Sequence, residues 1–457
     1  MAEHNVTVES TLAALLSEKK YPTIRDILVT MNPTDVAAVF EDMEQETLPL
    51  MFRLLPKELA AETFVEMEPE SQELLIRGFS DSELREVLDE LYADDAVDIV
   101  EEMPANVVKR ILAQADPTLR KDINDLLRYP ENSAGSIMTT EYVSLRPKMT
   151  VGEAIRRIRR TGVDKETIYT CYVTRDRQLI GLVTVKDLLL AQDDDTLIES
   201  IMEVNVISVN THTDQEEVAG MLSKYNFLAL PVVDSENRMV GIITFDDAMD
   251  VMIDEATEDI EIMGGMTPSD KTYLRSNALD LFKHRIPWLL LLMVSATFTG
   301  MIITSFENAL AAQVALTAFI PMLMDTGGNS GSQSSVTVIR SISLGELEFS
   351  DLPRVVWKEV QTAVLCGIAL AGACFVKIML VDRLLLGNDG VTVLVAAVVC
   401  ITLVVTVLVA KIIGCTLPMI ARKLGFDPAV MASPFITTIV DALSLLVYFS
   451  VASALLF

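Results

Sequence analysis

The sequence predicts a multidomain membrane protein with an all-α superhelical N-terminal domain, an α+β domain pair and an all-α transmembrane domain of five helices. Three observations lead to this fold class. Residues 33–128 repeat with a period of about 12, as stacked short helices do. Residues 129–255 hold two copies of a strand-rich pattern. Residues 286–457 are dominated by uncharged runs that are long enough to cross a bilayer.

The charge of the chain is divided as unevenly as its hydrophobicity. The formal net charge is −29, yet residues 286–457 hold 10 acidic and 8 basic residues. Nearly all of the excess acid therefore lies before the membrane-spanning part. Such a surface argues against a nucleic-acid partner, because phosphates need a basic face. It is compatible with plain solubility or with a site for many divalent cations.

The cysteines, the histidines and the N-terminus exclude other classes of protein. The 5 cysteines show no CxxC spacing, and we expect them to be small buried hydrophobic residues rather than disulfides or zinc ligands. The 3 histidines are scattered, so no transition-metal cluster is predicted. The first 16 residues have neither a basic region nor a long apolar core. We therefore expect no signal peptide and a soluble half that stays in the cytoplasm.

The first predicted domain, residues 1–128, is an acidic helical repeat. Its units open with Pro or a polar residue, continue with acids and then show an apolar pattern, as in PKELAAETFVEM (56–67). Pro or Asp followed by Glu is typical of a helix N-terminus. Eight short helices at this spacing should stack into a solenoid, which is more often a docking surface than a catalyst. The units begin at Pro33, Gln45, Pro56, Pro69, Asp81, Ala93, Pro104 and Pro117.

The second predicted domain, residues 129–255, contains the longer repeat. The copies at 166–189 and 227–250 each have an apolar strand, a polar turn, a β-branched strand and a helix start. Each copy is preceded by a further strand and a helix. This β-α-β-β-α pattern resembles a tandem pair of CBS domains, which we place at about 138–200 and 202–255.

Each copy ends its second strand with the motif G-x-x-T-x-x-D, which supplies Thr184 and Asp187 and then Thr244 and Asp247. The resemblance to CBS domains implies that such Thr and Asp side chains can hold a ribose. ATP is therefore a candidate ligand, with Thr184, Asp187 and Phe227 as candidate contacts. The alternative is that Thr and Asp only cap the helix that follows.

Residues 256–285 are predicted to form an acidic linker and a connecting amphipathic helix. Glu255, Glu258 and Asp259 would share one helix face, where their mutual repulsion is unfavourable without a cation. A solvated acidic face is the alternative. The basic stretch after Gly265 is suited to a helix that lies along the bilayer surface.

Residues 286–457 form the predicted five-helix transmembrane pore domain. Basic residues of the loops fall on the side of the soluble half, which obeys the positive-inside rule. We therefore expect a multi-pass plasma-membrane protein with its N-terminal domains in the cytoplasm and its C-terminus outside. Lys411 lies near a span end and is expected to extend to the membrane surface. The spans are expected at 286–306, 308–339, 359–381, 391–417 and 428–457.

The second span is expected to end in a polar, glycine-rich run, residues 321–335. Such a run is tolerated in a membrane only where it packs on protein or lines a water-filled cavity. Small-residue helix packing would explain the glycines, but not Asp325, Asn329 and Gln333 together. Oxygen ligands without His or Cys suit Mg²⁺ or Ca²⁺, and we include Asn329 among the candidate pore ligands.

Asp441 is the one ionisable residue of the last span. A carboxylate at that depth is costly unless it faces a polar interior, so Asp441 is a functional candidate. A structural hydrogen bond to a neighbouring helix is the alternative. Thr437 and Ser444 fall on the same helical face. Pro434 is expected to interrupt the helix and to free carbonyl oxygens toward a pore.

Five stretches together carry a resemblance to a known family, and they are YPENSAGSIMT (129–139), TDQEEVA (213–219), ATEDI (256–260), PMLMDTGGNSGSQS (321–334) and SPFITTIVDA (433–442). With the order of the domains, they resemble the MgtE family of Mg²⁺ transporters and channels over essentially the whole chain. The resemblance implies a homodimer whose pore lies between paired second and fifth spans. It also implies that Asp441 binds hydrated Mg²⁺ and that Ser433 and Thr437 line the filter.

The same resemblance implies that acids of the helical repeat, the CBS pair and the linker share Mg²⁺ ions that hold the pore closed. Asn226 stands where the family can have an acid, so one such site should be weak or absent. The matching acids are Asp95, Glu216, Asp247, Asp250, Glu255, Glu258, Asp259 and Asp427.

The sequence thus predicts a Mg²⁺-selective channel gated by cytoplasmic Mg²⁺, with Mg²⁺ as both substrate and regulator, and not an enzyme. One rival is a divalent cation carrier coupled to Na⁺ or H⁺. Another is a membrane-anchored CBS nucleotide sensor, against which Asp441 and the polar run argue, since an anchor needs neither. Co²⁺, Mn²⁺ and Ca²⁺ stay open as alternative ions.

Overall fold

The chain divides into two compact units, residues 1–252 and residues 253–457. The computed structural model describes residues 2–269, 273, 276–388 and 390–456, without the side chains of residues 2–7, 9, 164 and 433. Each unit has its own hydrophobic core. The predicted fold class, with a helical N-terminal part, an α+β pair and a helical C-terminal part, is confirmed.

The N-terminal part of the first unit is all α-helical, and each of the eight predicted repeat units contains one helix. The helices are α1 (Ala2–Ser17), α2 (Tyr21–Leu28), α3 (Pro33–Glu41), α4 (Leu48–Phe52), α5 (Lys57–Val65), α6 (Pro69–Gly78), α7 (Asp81–Leu88), α8 (Ala93–Glu102), α9 (Ala105–Gln114) and α10 (Pro117–Leu126). Proline opens α3, α6 and α10, where its missing N–H breaks no bond. Ser80 and Glu83 form a reciprocal capping box at the start of α7.

The repeat helices pack mainly on their second neighbours along the chain. Helices α3, α5, α7 and α9 form one row, α4 packs on α6, and α8 packs on α10. The rings of Phe52, Phe64 and Phe79 meet between them, with centroids 5.3–6.4 Å apart. This stacking gives each short helix the buried apolar face that it could not have alone.

The rest of the first unit contains two similar α+β halves, as predicted. The first half has β1 (Ser144–Leu145), α11 (Val151–Thr161), β2 (Thr170–Arg175), β3 (Gln178–Thr184), α12 (Val185–Leu190) and α13 (Ile198–Ile201). The second half has β4 (Val209–Asn210), α14 (Gln215–Tyr225), β5 (Ala229–Val233), β6 (Met239–Thr244) and α15 (Phe245–Met263). In each half the first strand pairs in parallel with the second, which pairs antiparallel with the third. The parallel pairing requires the crossover helix between the strands.

The second unit is helical after the end of α15. Its helices are α16 (Ala278–Ser305), α17 (Glu307–Ala312), α18 (Ile320–Ser343), α19 (Leu352–Lys377), α20 (Val393–Lys423) and α21 (Ser433–Leu456). Helices α16, α19, α20 and α21 are long and apolar enough to cross a membrane. Helix α18 is long enough, but its polar residues lower its mean hydropathy.

The predicted start of the second span is wrong. The expected span was 308–339, whereas α18 begins at Ile320, after α17 and a 3₁₀ segment over Val314–Phe319. An uncharged run does not mark where a helix begins, but Pro321 does, because its ring fits the first turn. The polar run 321–335 is therefore not the end of a span. It forms the first two-thirds of a continuous helix.

Pro434 does not interrupt the last span, contrary to the expectation. It is the second residue of α21, where its missing N–H breaks no helical bond. Its carbonyl oxygen accepts a hydrogen bond from Thr438 Oγ1 at 3.1 Å. A 3₁₀ turn over Pro428–Met431 precedes the helix.

The described part of the segment 256–285 contains the end of α15, the residues that follow it and the start of α16. Helix α15 extends to Met263, residues 264–269 form neither helix nor strand, and α16 begins at Ala278 with Asn277 as its N-cap. The Thr267 N–H donates to the His284 carbonyl oxygen at 2.9 Å, which ties this stretch to α16. Lys283 and Arg285 lie in the first turns of α16, whereas Lys271 and Arg275 of the predicted connecting helix lie outside the described residues.

Candidate ion pathway and acidic sites

Small residues allow the polar helix α18 to pack closely against α20 and α21. A side chain at Gly328 would meet the Thr437 methyl group at 2.6 Å. Gly331 and Gly414 face each other between α18 and α20, and a methyl group at position 414 would overlap the Gly331 carbonyl oxygen. The glycines of the polar run therefore serve helix packing, as the alternative interpretation held.

The face of α21 that is turned to α18 carries Asp441. A side chain at Gly327 would meet Ser444 Oγ at 2.8 Å, so Thr437 and Ser444 both lie on this face. Asp441 Oδ1 and Ser444 Oγ are buried without a hydrogen-bond partner among the described atoms. Asp441 Oδ1 therefore does not form the structural hydrogen bond to a neighbouring helix that is the alternative role of Asp441. The side chain of Ser433 lies outside the described residues.

A polar stripe, defined here as Asp325, Asn329 and Gln333, runs along α18. These residues are spaced four apart and therefore share one face, and all three are exposed in the single chain. Asn329 Nδ2 donates to Asp325 Oδ1 at 3.0 Å. Asp325 is close enough to Asp441 for their charges to interact. The predicted pore candidates Asn329 and Asp441 thus lie in one region of the unit.

Thr402 and Thr406 on α20 add buried polar groups that were not predicted from the sequence. Their hydroxyl groups have no hydrogen-bond partner among the described atoms. The Thr406 methyl group lies beside Gly327 of α18. Two threonines spaced four apart in the otherwise apolar first part of α20, residues 393–410, are the sequence signal that could have indicated this face.

Lys411 does not extend to the membrane surface, contrary to the expectation. Its Nζ atom lies 3.5 Å from Glu359 Oε2 and donates to Ser334 Oγ at 3.1 Å. The Ser334 hydroxyl in turn donates to Glu359 Oε2 at 2.6 Å. The side chains of Lys411 and Glu359 are only 6% and 17% exposed. A buried partner of opposite charge keeps the amine inside.

The first unit contains a cluster of acidic residues that lies between the helical repeat and the CBS pair. The predicted regulatory residues Asp95 and Asp247 both belong to it, and their charges interact. Its other members were not predicted from the sequence, and they lie beside or one turn from these two or in the loop before β2. The acid cluster is Asp94, Asp95, Asp98, Glu166, Asp246 and Asp247.

Burial and mutual repulsion disfavour negative charge in the acid cluster. Burial, followed by the charge of Asp247, raises the pKa of Asp95 to about 6 and that of Glu166 to about 7. Asp98 is exposed on α8, yet loss of solvent around its carboxylate, followed by the Asp95 charge, raises its pKa to about 7. Burial and the same repulsion raise the pKa of Asp94 well above its usual range, and Asp94 Oδ1 has no hydrogen-bond partner among the described atoms. A cation among these groups would relieve the repulsion and stabilise the charged forms.

Three other predicted positions lie on α14 and α15. Burial raises the pKa of Asp250, and the Asp246 charge adds to the rise. Glu216 lies exposed in the first turn of α14. Asn226 ends that helix with a φ of 54°, a left-handed conformation that Asn adopts more readily than most residues. This backbone requirement gives a physical reason for Asn at that position.

In the second unit, the end of α15 lies near the loop before α21. Asp259 Oδ2 accepts a hydrogen bond from Ser343 Oγ, at the end of α18, at 3.3 Å. Burial raises the pKa of Asp259, with the Asp427 charge as the next cause and the Glu255 charge as a smaller one. Three predicted regulatory acids therefore lie in one region, and Glu258 is exposed on the same helix.

The carboxylates of the described acidic sites do not converge on one point. Among the residues that the structure describes, no three His, Cys, Asp or Glu side chains converge into a metal-binding group. Proteins usually bind Mg²⁺ with several of its waters retained. A hydrated ion can bridge carboxylates that do not converge on one point.

The Thr and Asp of each CBS copy cap the helix that follows. Thr184 Oγ1 donates to Asp187 Oδ2 at 2.5 Å, and the two residues form a capping box at the start of α12. Thr244 Oγ1 donates to Asp247 in the same way. Asp187 nevertheless stays exposed to solvent. Phe227 belongs to the other copy, where its ring stacks on a neighbouring tyrosine at a centroid distance of 5.4 Å.

Comparison with known proteins matches most of the chain to described families. Residues 320–451 match the family described as a divalent cation transporter, and residues 31–132 match the MgtE intracellular N domain. Residues 134–194 and 198–254 each match the CBS domain.

Two relatives share nearly the whole length of the chain. The magnesium transporter MgtE of Thermus thermophilus is 38% identical over 451 residues, which cover 98% of each chain. The magnesium transporter MgtE of Bacillus subtilis is 32% identical over 441 residues, which cover 96% of this chain and 95% of the relative. Among solved structures, the cytosolic domain of the Mg²⁺ channel MgtE in complex with ATP is 39% identical, with a TM-score of 0.51. That likeness covers 53% of this chain and 99% of the solved one.

Proposed function

The chain belongs to the MgtE family of magnesium transporters, and on that premise we propose that it is a Mg²⁺-selective channel of the plasma membrane that Mg²⁺ itself closes. In this proposal two copies of the chain form one pore, and the acidic soluble domains sense cytoplasmic Mg²⁺. Relatives that cover nearly the whole chain are named magnesium transporters, so the activity is transport rather than an enzymatic reaction.

The observation that carries the pore proposal is the exposed polar stripe of α18 beside Asp441. Lipid tails would leave these polar side chains without hydrogen-bond partners, at a cost of several kcal/mol. The stripe must therefore face protein or water. A second copy related by a two-fold axis would enclose both stripes and both Asp441 carboxylates in one polar path. This requirement supports a homodimer.

Asp441 is the proposed binding residue for hydrated Mg²⁺, with Ser433, Thr437 and Asn329 as neighbouring ligands. Because Mg²⁺ gives up water reluctantly, two carboxylates across the axis can hold it through its hydration shell. Inward flow needs no coupled reaction, since an inside-negative potential of ~100 mV contributes roughly 4.6 kcal/mol for a divalent ion.

The acid cluster supports a regulatory role for Mg²⁺ in the first unit. Asp94 is buried and Asp95, Glu166 and Asp247 are half-buried, and the carboxylates of the cluster repel one another when charged. Bound Mg²⁺ should therefore hold α8 against α15, and loss of the ion should weaken this contact. Asp250 and Glu216 are the further proposed contributors on the CBS pair. The proposed effect of low Mg²⁺ is thus a separation of the helical repeat from the CBS pair.

A second sensing site at Asp259 and Asp427, with Glu255 and Glu258, would link this change to the pore. A side chain at Gly265, just after α15, would meet the Pro434 ring at 3.0 Å. The stretch that follows α15 therefore contacts Pro434 in the first turn of α21, seven residues before Asp441 along the chain. Withdrawal of this contact at low Mg²⁺ is the proposed opening step.

The positive-inside rule supports a cytoplasmic location for the soluble domains and an outside location for the C-terminus. Five basic residues lie at the ends of α18, α19 and α20 nearest the loop before α21, where anchors on the cytoplasmic side are expected. They are Arg340, Arg354, Lys358, Arg422 and Lys423.

ATP binding at the CBS pair is a further part of the proposal. The solved MgtE cytosolic domain that is 39% identical contains ATP. Thr184, Asp187 and Phe227 are the proposed contacts. Calorimetric titration of the full chain should show ATP binding that weakens at least about tenfold in Asp187→Ala, because a carboxylate that bonds a ribose contributes ~1.5 kcal/mol or more. Equal affinity in wild type and variant would remove these contacts from the proposal.

Single-channel recording tests the central proposal. Membrane patches that contain the protein should show unitary Mg²⁺ currents, and these should close as Mg²⁺ on the cytoplasmic face reaches the millimolar range. Asp441→Ala should abolish the currents, because it removes the one carboxylate on the polar face of α21. Asp382→Ala, which removes a carboxylate paired with Lys377 at the end of α19, is the matched control and should conduct normally.

Two outcomes would contradict the proposal in different ways. Steady Mg²⁺ uptake without unitary currents, together with dependence on a Na⁺ or H⁺ gradient, would make the protein a coupled carrier. Unitary currents that do not change with cytoplasmic Mg²⁺ would support the pore but contradict the sensing role of the acidic sites.

A further inference from the structure

A cavity of about 200 Å³ lies at the end of the α18–α20 helix pair, and neither the proposed pore nor the acidic sites use it. Its apolar lining comes from Ile342, Leu347, Phe349 and Met419. Its basic lining comes from the last turn of α20, where Arg422 and Lys423 follow each other. The cavity thus combines an apolar wall with two adjacent cations.

The two cations are held in place without being neutralised. Arg422 donates to the Ile342 carbonyl oxygen at 2.6 Å, and Lys423 Nζ lies 3.9 Å from the centroid of the Phe349 ring. In the part of the chain that the structure describes, neither side chain forms an ion pair. Glu348 is the one acid in the lining, and its carboxylate accepts the Asp351 N–H in a capping turn. The positive charge therefore remains available to an anion.

The surroundings of the cavity have the composition of a membrane interface. Leu344, Leu424 and Phe426, which follow α18 and α20 directly, are 58%, 67% and 64% exposed. Large apolar side chains that stand beside cations at the ends of membrane helices are typical of the boundary between headgroups and acyl chains. A ligand that enters here would meet lipid on one side and basic groups on the other.

We propose that this cavity binds the phosphate of an anionic phospholipid. The free N–H groups of Arg422 and the Lys423 ammonium would hold the phosphate oxygens, since a guanidinium offers several donors in a fixed plane. The glycerol and the first acyl carbons would lie against Ile342, Phe349 and Met419. Basic pockets between transmembrane helices on the cytoplasmic side are suited to such headgroups. A free phosphate would use the same cations but would leave the apolar wall uncovered.

Native mass spectrometry of the full-length protein in detergent tests the proposal with added phosphatidylglycerol or phosphatidylcholine. Wild type should retain phosphatidylglycerol preferentially. Lys423→Gln and Arg422→Gln should each weaken this retention about fivefold, because each removes one cation near the headgroup. Lys423→Arg should keep it. Arg383→Gln is the matched control, because it removes an exposed cation that follows α19, outside the cavity, and it should bind as wild type does.

Three results would overturn the proposal. Equal retention of the two lipids, or equal loss in Arg383→Gln and Lys423→Gln, would show that the cavity does not select a headgroup. Loss of bound phosphatidylglycerol when millimolar inorganic phosphate is added would assign the site to free phosphate. Lys423 bonds no backbone group among the described residues, so its variant should fold even if Arg422→Gln does not.

Discussion

Lys411 and Glu359 show how a charged pair can be accommodated inside the transmembrane domain. The pair joins α19 to α20, and the Ser334 hydroxyl joins both to α18. Three helices are therefore tied together at one point beside the polar run. Because each charge is buried, its cost is tolerable only while the other partner is present.

Removal of one partner should cost far more than removal of both. Lys411→Met leaves the Glu359 carboxylate buried and unpaired, so we expect a loss of about 3 kcal/mol or more in the free energy of unfolding. The double variant Lys411→Met/Glu359→Met should recover most of that loss, because two apolar side chains of similar length replace the pair. Thermal unfolding of the detergent-solubilised full chain measures both. A double variant less stable than Lys411→Met would contradict this account.

The sequence could identify Asp441 but not the true role of Lys411. A lone carboxylate in an apolar run is visible from composition, whereas a buried ion pair depends on which helices become neighbours. Glu359 and Lys411 are separated by 51 residues of chain. Their pairing depends on the packing of α19 on α20, which no local pattern encodes. The acid cluster has the same property, since Asp95 of the helical repeat interacts with Glu166 and Asp247 only after the repeat has packed on the CBS pair.

At the scale of elements, the packing of α18 on α20 depends on the absence of side chains at two facing glycines. Gly331 and Gly414 approach so closely that even a methyl group would overlap backbone. Backbone cannot move aside as a flexible side chain can, so the helices would have to separate. That separation would also shift Asn329 and Gln333, which share α18 with Gly331.

Gly414→Ala should therefore destabilise the transmembrane domain by about 2 kcal/mol and lower the Mg²⁺ current. Gly372→Ala on α19 is the control, because a methyl group there meets no atom within 4 Å, and alanine should be neutral or slightly stabilising in that helix. Thermal unfolding and unitary conductance are the measurements. Equal stability of the two variants would show that α18 and α20 can repack at no cost.

Helix existence could be predicted better than helix boundaries. All eight repeat helices could be predicted from the repeat period, because Pro or acidic residues mark the helix N-termini. The start of α18 was placed 12 residues too early, since an uncharged run looks the same inside a helix and in the turns that precede it. Pro321 and Pro434 indicate the observed helix starts better than the uncharged runs do, because proline is favoured in the first turn of a helix.

At the scale of the whole molecule, the domain order could be predicted because each part has its own signature in charge and period. The contacts between the helical repeat and the CBS pair could not be predicted in this way. The acid cluster forms where α8 of the helical repeat approaches α15 of the CBS pair, and burial there raises the pKa values of Asp95, Asp98 and Glu166 to between about 6 and about 7. The compact state of this unit is therefore linked to protons and to cations through the same groups.

This linkage has a definite sign. The pKa values of these acids are higher in the folded unit than the usual values near 4 of an unfolded chain, so the folded unit binds protons more tightly. The stabilisation from these protons is fully present below about pH 4 and is lost as the pH rises through about 6 to 7. Without Mg²⁺, hydrogen-exchange protection of α8 and α15 in the full chain should therefore fall between about pH 5 and about pH 7.5. Millimolar Mg²⁺ should restore the protection at the higher pH and change little at the lower one, because protons already neutralise the site there.

Two variants separate this linkage from a general effect of charge. Asp95→Asn/Asp98→Asn removes two carboxylates whose pKa values are raised, so protection should lose most of its dependence on pH and on Mg²⁺. Asp35→Asn removes an exposed carboxylate of α3 that lies outside the acid cluster and should leave both dependences unchanged. If Mg²⁺ protects the wild type equally at both pH values, the ion binds elsewhere. The acid cluster would then be a proton site only, and the sensing of Mg²⁺ would depend on the acids around Asp259.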